Sequence, residues 1–225
     1  MSDVGGPDHA RARRGVVRFD VFERSVHWVS AALFTVLIVT AIPLYFGSLF
    51  GVMVPRFDVE QIHLWAGLAL PVPFTAILLS PGGARLRRDV RRVNDWTVAE
   101  IAWLRSWGRV ALETDKFNPA QKLNAIVVAA SSVVLLVTGV ILKWFNLVPV
   151  SWRGGATFVH DAFAWLLAIA IAGHVVMAVT HPEALRSMLR GRVSESWAAR
   201  HAPRWLDEGD AREARESRLS DDPTR

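Results

Sequence analysis

The sequence predicts an all-α integral membrane protein: a four-transmembrane-helix bundle with a surface helix between helices 2 and 3 and polar cytoplasmic termini. Three observations lead there. Of the 225 residues, 52% are hydrophobic, and they concentrate in four long stretches from which charge is nearly absent. Each stretch is about 20 residues long, which matches a hydrocarbon layer of roughly 30 Å, where only helices or closed barrels satisfy their own backbone. The arginines gather in alternate connections between the stretches. Mean hydropathy over the whole chain is only +0.25, so the distribution of apolar residues decides the class and bulk composition does not.

Residues 1–17 are polar, rich in glycine and arginine, and expected to form a disordered tail. The first span runs from about Ser25 to Phe46. It is too long for a signal-peptide core, and no A-x-A-like cleavage site follows it, so it is expected to be retained. The second covers about Ile62 to Leu79 and stops at the breaker Ser80-Pro81-Gly82-Gly83. In the long connection that follows, Val98, Ile101, Ala102, Leu104 and Trp107 recur at near-helical spacing, as in a helix lying on the membrane surface. The third span runs from about Gln121 to Trp144, and the fourth from about Thr157 to Thr180, ending before Pro182. The tail from Asp207 is a mixed-charge run without apolar periodicity. The expected division is therefore a tail over 1–17, a membrane domain over 18–205 and a charged tail over 206–225.

Orientation follows from the arginines. Arg11, Arg13, Arg14, Arg18 and Arg24 precede the first span, Arg85, Arg87, Arg88, Arg91 and Arg92 lie in the second connection, and Arg186, Arg190 and Arg192 follow the fourth span. The first connection has only Arg56, and the third has Lys143 and Arg153. The positive-inside rule then places both termini and the middle connection in the cytoplasm. The same placement accounts for the net charge of +5 without nucleic acid, because the basic residues flank apolar spans. Trp28, Trp65, Trp144 and Trp152 near span ends suit an interfacial belt, and Trp165 sits deeper.

The absence of cysteine removes disulfides, cysteine-ligated clusters and covalent CxxCH haem attachment. A metal centre here must use histidine, carboxylate or methionine. Of seven histidines, four lie in the spans: His27, His63, His160 and His174. An imidazole in an apolar helix is costly unless ligated or hydrogen-bonded, so each is a functional candidate, the alternative being a bond to a neighbouring carbonyl. By topology His63 and His160 share the outer depth, and His27 and His174 the inner depth. His160 and His174 are fourteen residues apart, which is about 21 Å of rise and close to four turns, so both project from one face. Two bis-histidine haems at two depths fit this pattern. Gly67, Gly139, Gly173 and Ala129 are small residues beside these positions, equally suited to ordinary helix packing. His9, His181 and His201 lie in polar or end positions, and Asp161 reads as a solvated end charge.

Several segments then resemble a known family. Glu23-Arg24-Ser25-Val26-His27-Trp28, Gln61-Ile62-His63, Lys116-Phe117-Asn118-Pro119-Ala120-Gln121-Lys122, Val137-Thr138-Gly139-Val140-Ile141, Val159-His160 and Gly173-His174 carry the likeness. So do Gly191-Arg192-Val193-Ser194, Trp197-Ala198 and His201-Ala202-Pro203-Arg204-Trp205. Over about Arg18 to Trp205 the chain resembles the gamma subunit, of cytochrome b556 type, of membrane-bound respiratory formate dehydrogenase. The resemblance implies a subunit of the bacterial cytoplasmic (inner) membrane that holds two haem b groups and has no catalytic residue for formate itself. Its partners would be an iron–sulfur beta subunit and a molybdopterin or tungstopterin alpha subunit. Electrons would cross from the outer to the inner haem and reduce menaquinone or ubiquinone. Carried over by position, the quinone residues are Asn118, Ala120, Gln121 and His174, with Ala120 standing where the family often has glycine. Read from the residues alone, Asn118 with Pro119 behind it is equally a helix N-cap. Two other readings stay open: the cytochrome b subunit of another quinone-linked enzyme, such as a hydrogenase or thiosulfate reductase, and a haem-free membrane scaffold.

Overall fold

The computed structural model describes residues 15–47, 55–144, 146 and 148–209. In chain order the helices are α1 (Val21–Tyr45), α2 (Arg56–Ala69), α3 (Pro71–Leu79), α4 (Ala84–Asn94), α5 (Val98–Arg105), α6 (Pro119–Lys143), α7 (Ser151–Thr180), α8 (Pro182–Arg190) and α9 (Glu195–His201). A 3-10 turn covers Pro81–Gly83, and β1 (Val16–Val17) pairs antiparallel with β2 (Arg192–Val193). The chain divides into two compact units. One comprises Val21–Asp89 and Asn124–Thr180, and the other the described parts of Met1–Asp20, Val90–Leu123 and His181–Arg225. The stretch expected as one domain, 18–205, is thus distributed over both.

The first unit holds the spans. Val21–Tyr45, Arg56–Leu79, Pro119–Lys143 and Ser151–Thr180 are each long and apolar enough to cross a bilayer. Each overlaps an expected span, and the differences lie at the ends. α2 and α7 begin six residues before Ile62 and Thr157. Their first turns mix polar and apolar residues and so fall outside the apolar runs, but adding a residue to a formed helix gains one hydrogen bond per residue fixed. Val39, Val72, Val133, Ile169, Val176 and Val179 remain 58–67% exposed on the four spans. In water such a surface would promote aggregation, whereas acyl chains cover it without penalty.

Proline shapes the second span. Leu70 keeps helical angles (φ −54, ψ −43) between α2 and α3, and Pro71 then sits in the first turn of α3, where its missing N–H is tolerated. The breaker after Leu79 folds as expected. Arg87 donates from Nη1 to the carbonyls of Leu78 and Ser80, both at 2.8 Å, and so caps the orphaned carbonyl end of α3 with a cation. Gly83 is required in this turn, because a Cβ there would run into the Ile77 carbonyl.

The second unit is built on polar contacts as much as on its small apolar core of Val193, Ala198 and Ala202. Gly191 ends α8 in the left-handed region (φ 82), and its carbonyl accepts from the N–H groups of Arg18 and Phe19 at 2.9 and 3.1 Å. Ser194 caps α9 by accepting from Trp197 N–H, and its hydroxyl donates to Glu183 Oε1 at 2.6 Å. The Arg18 guanidinium lies 4.6 Å from the Trp197 ring centre and donates to the Lys116 carbonyl at 3.0 Å. Arg92 pairs with both Asp115 and Glu208.

The expected surface helix is present as α5, but Trp107 lies beyond it with φ 55, and a separate arginine-rich helix, α4, precedes it. α5 opens with a capping box. Thr97 Oγ1 accepts from Glu100 N–H at 3.2 Å, and Glu100 Oε2 accepts from Thr97 N–H at 2.9 Å. The other oxygen of Glu100 accepts from Lys122 Nζ at 2.7 Å, with the two side chains only 2% and 4% exposed. Lys122 also donates to the Asp95 carbonyl at 2.8 Å. Residues 203–209, which include the start of the expected tail at 206, are helical. The expected tail stretches 1–14 and 210–225 lie outside the described residues.

The Glu100–Lys122 pair yields a test. Burial raises the affinity of the Glu100 carboxyl for its proton, but hydrogen bonds from Lys122 and Thr97 outweigh this and hold its pKa below the ordinary value. The contribution of the pair is therefore present above the unfolded carboxylate value of about 4.3 and lost as pH falls through the depressed folded value. Glu100→Gln and Lys122→Met should each lower stability by about 3–5 kcal/mol, because each leaves a buried polar partner unmatched. The double variant should recover part of the loss. Thermal unfolding of the solubilised protein from pH 7 to 3 measures both effects; equal, additive losses with an unchanged acid limb would refute them.

Candidate functional site

All four span histidines lie in the first unit: His27 near the start of α1, His63 in α2, His160 and His174 on α7. The structure brings them together in pairs. The rings of His27 and His174 are 6.0 Å apart between centroids at an interplanar angle of 64°, and those of His63 and His160 are 6.4 Å apart at 60°. His27, His63 and His160 are half-buried, and His174 is more exposed. Because the pairs share α7 and their members on that helix are fourteen positions apart, they are separated by about 21 Å along its axis.

The His63–His160 pair is held from behind. Thr40 Oγ1 lies 2.8 Å from His63 Nδ1, and Thr138 Oγ1 lies 2.8 Å from His160 Nδ1. Each hydroxyl already donates its hydrogen to the carbonyl four residues back, Thr40 to Val36 at 2.7 Å and Thr138 to Val134 at 2.8 Å. With that hydrogen directed to the carbonyl, each threonine oxygen is placed to accept, so an imidazole protonated on Nδ1 would donate to it and keep the lone pair of Nε2. Beside this pair, a Cβ on Gly139 would sit 3.5 Å from His160 Cε1, so α6 meets the ring through a residue without a side chain. Lys143 on α6 and Glu60 on α2 form an ion pair of 2.9 Å near the same end. His27 is flanked edge-on by Trp28 at 5.2 Å.

This arrangement fits a bis-imidazole haem. A metal–nitrogen bond is about 2 Å on each side, and the ring centre lies about 1 Å beyond the nitrogen, giving roughly 6 Å between centroids. Both pairs meet that spacing. Among the described residues no three His, Cys, Asp or Glu side chains cluster as ligands for a bare ion. Each pair instead suits an ion that brings its own equatorial ligands, as haem iron does.

The residues expected near a quinone are divided between the two units. Asn118, Ala120 and Gln121 belong to the second unit, at the start of α6, whereas His174 belongs to the first. Asn118 and Gln121 form a reciprocal cap: Asn118 Oδ1 accepts from Gln121 N–H at 2.9 Å, and Gln121 Oε1 accepts from Asn118 N–H at 3.0 Å. The N-cap reading of Asn118 is therefore realised. Both side-chain NH2 groups are left out of the box. Ala120 is exposed. Trp165 packs edge-on against Tyr45 at 6.0 Å and remains 51% exposed. His201 stacks on Trp197 at 4.8 Å, away from the span histidines in sequence and in unit.

Sequence reasoning missed Thr40 and Thr138. A usable signal existed: they lie 23 and 22 residues before His63 and His160 and are polar side chains inside apolar spans.

Four spans carrying two facing pairs of imidazoles are the architecture of a membrane cytochrome b. The chain belongs to the prokaryotic cytochrome b561 family, whose model matches residues 18–191. It is similar to the cytochrome b556(Fdn) subunit of the nitrate-inducible formate dehydrogenase of Escherichia coli K12, with 26% identity over 212 residues, 89% of this chain and 94% of that relative. The formate dehydrogenase cytochrome b556 subunit of Haemophilus influenzae is 26% identical over 204 residues, covering 86% of this chain and 83% of the relative. The cytochrome b556(fdo) subunit of formate dehydrogenase of E. coli K12 is 24% identical over 214 residues, covering 88% and 95%. As a member of its family, the protein is a multi-pass membrane haem b protein of electron transfer.

The cap at the start of α6 can be checked directly. Asn118→Ala should lower stability by about 0.5–2 kcal/mol, while Asn118→Asp should retain most of it, since both Asn and Asp accept from the N3 amide. Thermal unfolding of the two variants decides; equal stability of Ala and wild type would show that the cap contributes nothing.

Proposed function

We propose that this chain is the membrane-anchoring cytochrome b subunit of a formate dehydrogenase, carrying electrons through two b haems to membrane quinone. The observation that carries this reading is the pair of imidazole pairs, each at haem-ligand spacing and about four turns apart on α7. Relatives named as formate dehydrogenase cytochrome b556 subunits, matching most of both chains, supply the enzyme. The charge distribution supports a bacterial cytoplasmic membrane with both termini cytoplasmic.

In this reading His63 and His160 hold one haem and His27 and His174 the other, through Nε2. When bound, haem supplies reversible one-electron chemistry at an iron whose potential the axial ligands set. The chain's own part is to fix both ligand pairs along one membrane-spanning helix, so that charge moves across the membrane without exposed polar backbone. Electrons enter at the His63–His160 end from an iron–sulfur beta subunit, itself fed by a molybdopterin or tungstopterin alpha subunit where formate is oxidised. For the quinone, menaquinone or ubiquinone, we retain Asn118, Ala120, Gln121 and His174, on the strength of the sequence resemblance. Asn118 and Gln121 contribute the side-chain NH2 donors that their capping box leaves unused, which suit a quinone carbonyl.

Reduced-minus-oxidised spectra of membranes containing the whole complex test the reading. His63→Ala or His160→Ala should each remove the same half of the b-type signal, and His27→Ala or His174→Ala the other half. Formate should reduce the wild-type signal, and a quinone analogue should reoxidise it. Loss of both halves in every variant would refute the pairing, and reduction by hydrogen or thiosulfate-linked donors but never by formate would refute the enzyme assignment.

A further inference from the structure

The two threonines behind the His63–His160 pair repeat one design. Each sits on the first helix of a helical hairpin, Thr40 on α1 and Thr138 on α6, and each meets a histidine near the start of the next span, on α2 and α7. Both are buried, at 9% and 7% exposure. Both spend their hydroxyl hydrogen on a carbonyl one turn back, so their oxygen is available only as an acceptor toward Nδ1. A carbonyl-bound hydroxyl is polarised, which strengthens it as an acceptor. Two separate helix pairs arriving at the same 2.8 Å contact between a threonine oxygen and a histidine Nδ1 are not what packing of apolar spans alone would give.

We infer that Thr40 and Thr138 are positioning residues of the haem held by His63 and His160, selecting the Nδ1–H tautomer and lowering that haem's reduction potential relative to the same ligands without acceptors. The inference rests on the haem ligation proposed above. Accepting a hydrogen bond from Nδ1–H raises the basicity of Nε2, and a more basic axial ligand favours the ferric over the ferrous ion. Without the threonine oxygen, Nδ1–H would be left with only the backbone carbonyl beside it, that of Leu37 for His63 and of Leu135 for His160, and the bias toward ferric would weaken.

The test uses the whole complex in its membrane with Thr40→Val, Thr138→Val, Thr40→Ser and Thr138→Ser, read by redox titration and by the paramagnetic resonance of the ferric haems. Valine keeps the shape and removes the oxygen, while serine keeps the oxygen. Each valine variant should raise the midpoint of one haem only, shift that haem's ferric g values, and favour ferrous over ferric by up to about tenfold, ~59 mV for one electron. The serine variants should behave as wild type, and the second haem should not move. His63→Ala, run beside them, identifies which haem is the His63–His160 one. If His63→Ala deletes one haem but both valine variants match wild type, or serine behaves as valine, or both haems shift together, the positioning role is overturned while the ligation stands. If His63→Ala leaves both haems in place, the ligation itself fails, and this inference with it.

Discussion

An apolar layer offers no water to a polar group, so every polar atom inside it must find its partner within the protein or its cofactor. That constraint explains why the spans are helices, and it also explains the form of the site. An imidazole has two ring nitrogens, and placing one in a span creates two debts. At His63 and His160 the protein settles the first with a threonine oxygen behind each ring. In the proposed tautomer the second nitrogen keeps a lone pair and no proton, which suits a metal ion better than a donor side chain. The threonine hydroxyls face the same demand, and each meets it by donating to a carbonyl of its own helix.

These contacts also organise the spans. Thr40 joins α1 to α2 through His63, the His63–His160 pair joins α2 to α7, Thr138 joins α6 to α7, and the His27–His174 pair joins α7 back to α1. The circuit touches all four spans and passes twice through α7. Fully buried apolar contacts are few in this unit: Val26, Val59, Ala66, Ala156 and Leu167 are its buried hydrophobic side chains among the described residues. With lipid as apolar as leucine, the hydrophobic effect does little to bring spans together, so directional contacts and close packing must. The histidine circuit supplies such contacts where a planar cofactor would add two further links. With haem held as proposed, binding and assembly would be coupled, as for other sites whose ligands come from separate elements.

Much of this was legible in the sequence because it depends on long apolar runs and on rare residues within them. The four spans, the breaker at Ser80–Gly83 and the pairing of histidines by depth all derive from where polar residues interrupt hydrophobic ones. What escaped depends on contacts between segments distant in sequence. Glu100 and Lys122 are ordinary surface residue types, and nothing local marks them as a buried pair. The Val16–Val193 register joins two-residue strands too short to show alternation. Thr40 and Thr138 read locally as helix-compatible residues, and only the helix pairing gives them a histidine to face. The first turns of α2 and α7 escaped for a different reason: apolar periodicity cannot detect a helix end that lies outside the apolar run.

Charge shows how one residue can satisfy two constraints at different levels. The positive-inside rule counts arginines near span ends and takes no account of their partners. Here several of those counted have specific structural duties: Arg87 caps α3, Arg92 holds Asp115 and Glu208, and Arg18 stacks on Trp197 while bonding the Lys116 carbonyl. The two roles are compatible because they act at different times. Topology is set by the cost of moving a cation across the membrane during insertion, before those partners exist. In the proposed orientation the pairings form afterwards, with the cations retained on one side. In the proposed orientation, an arginine buried in the finished fold would have served first as a topological signal, so a count of arginines is compatible with their engagement in the folded protein.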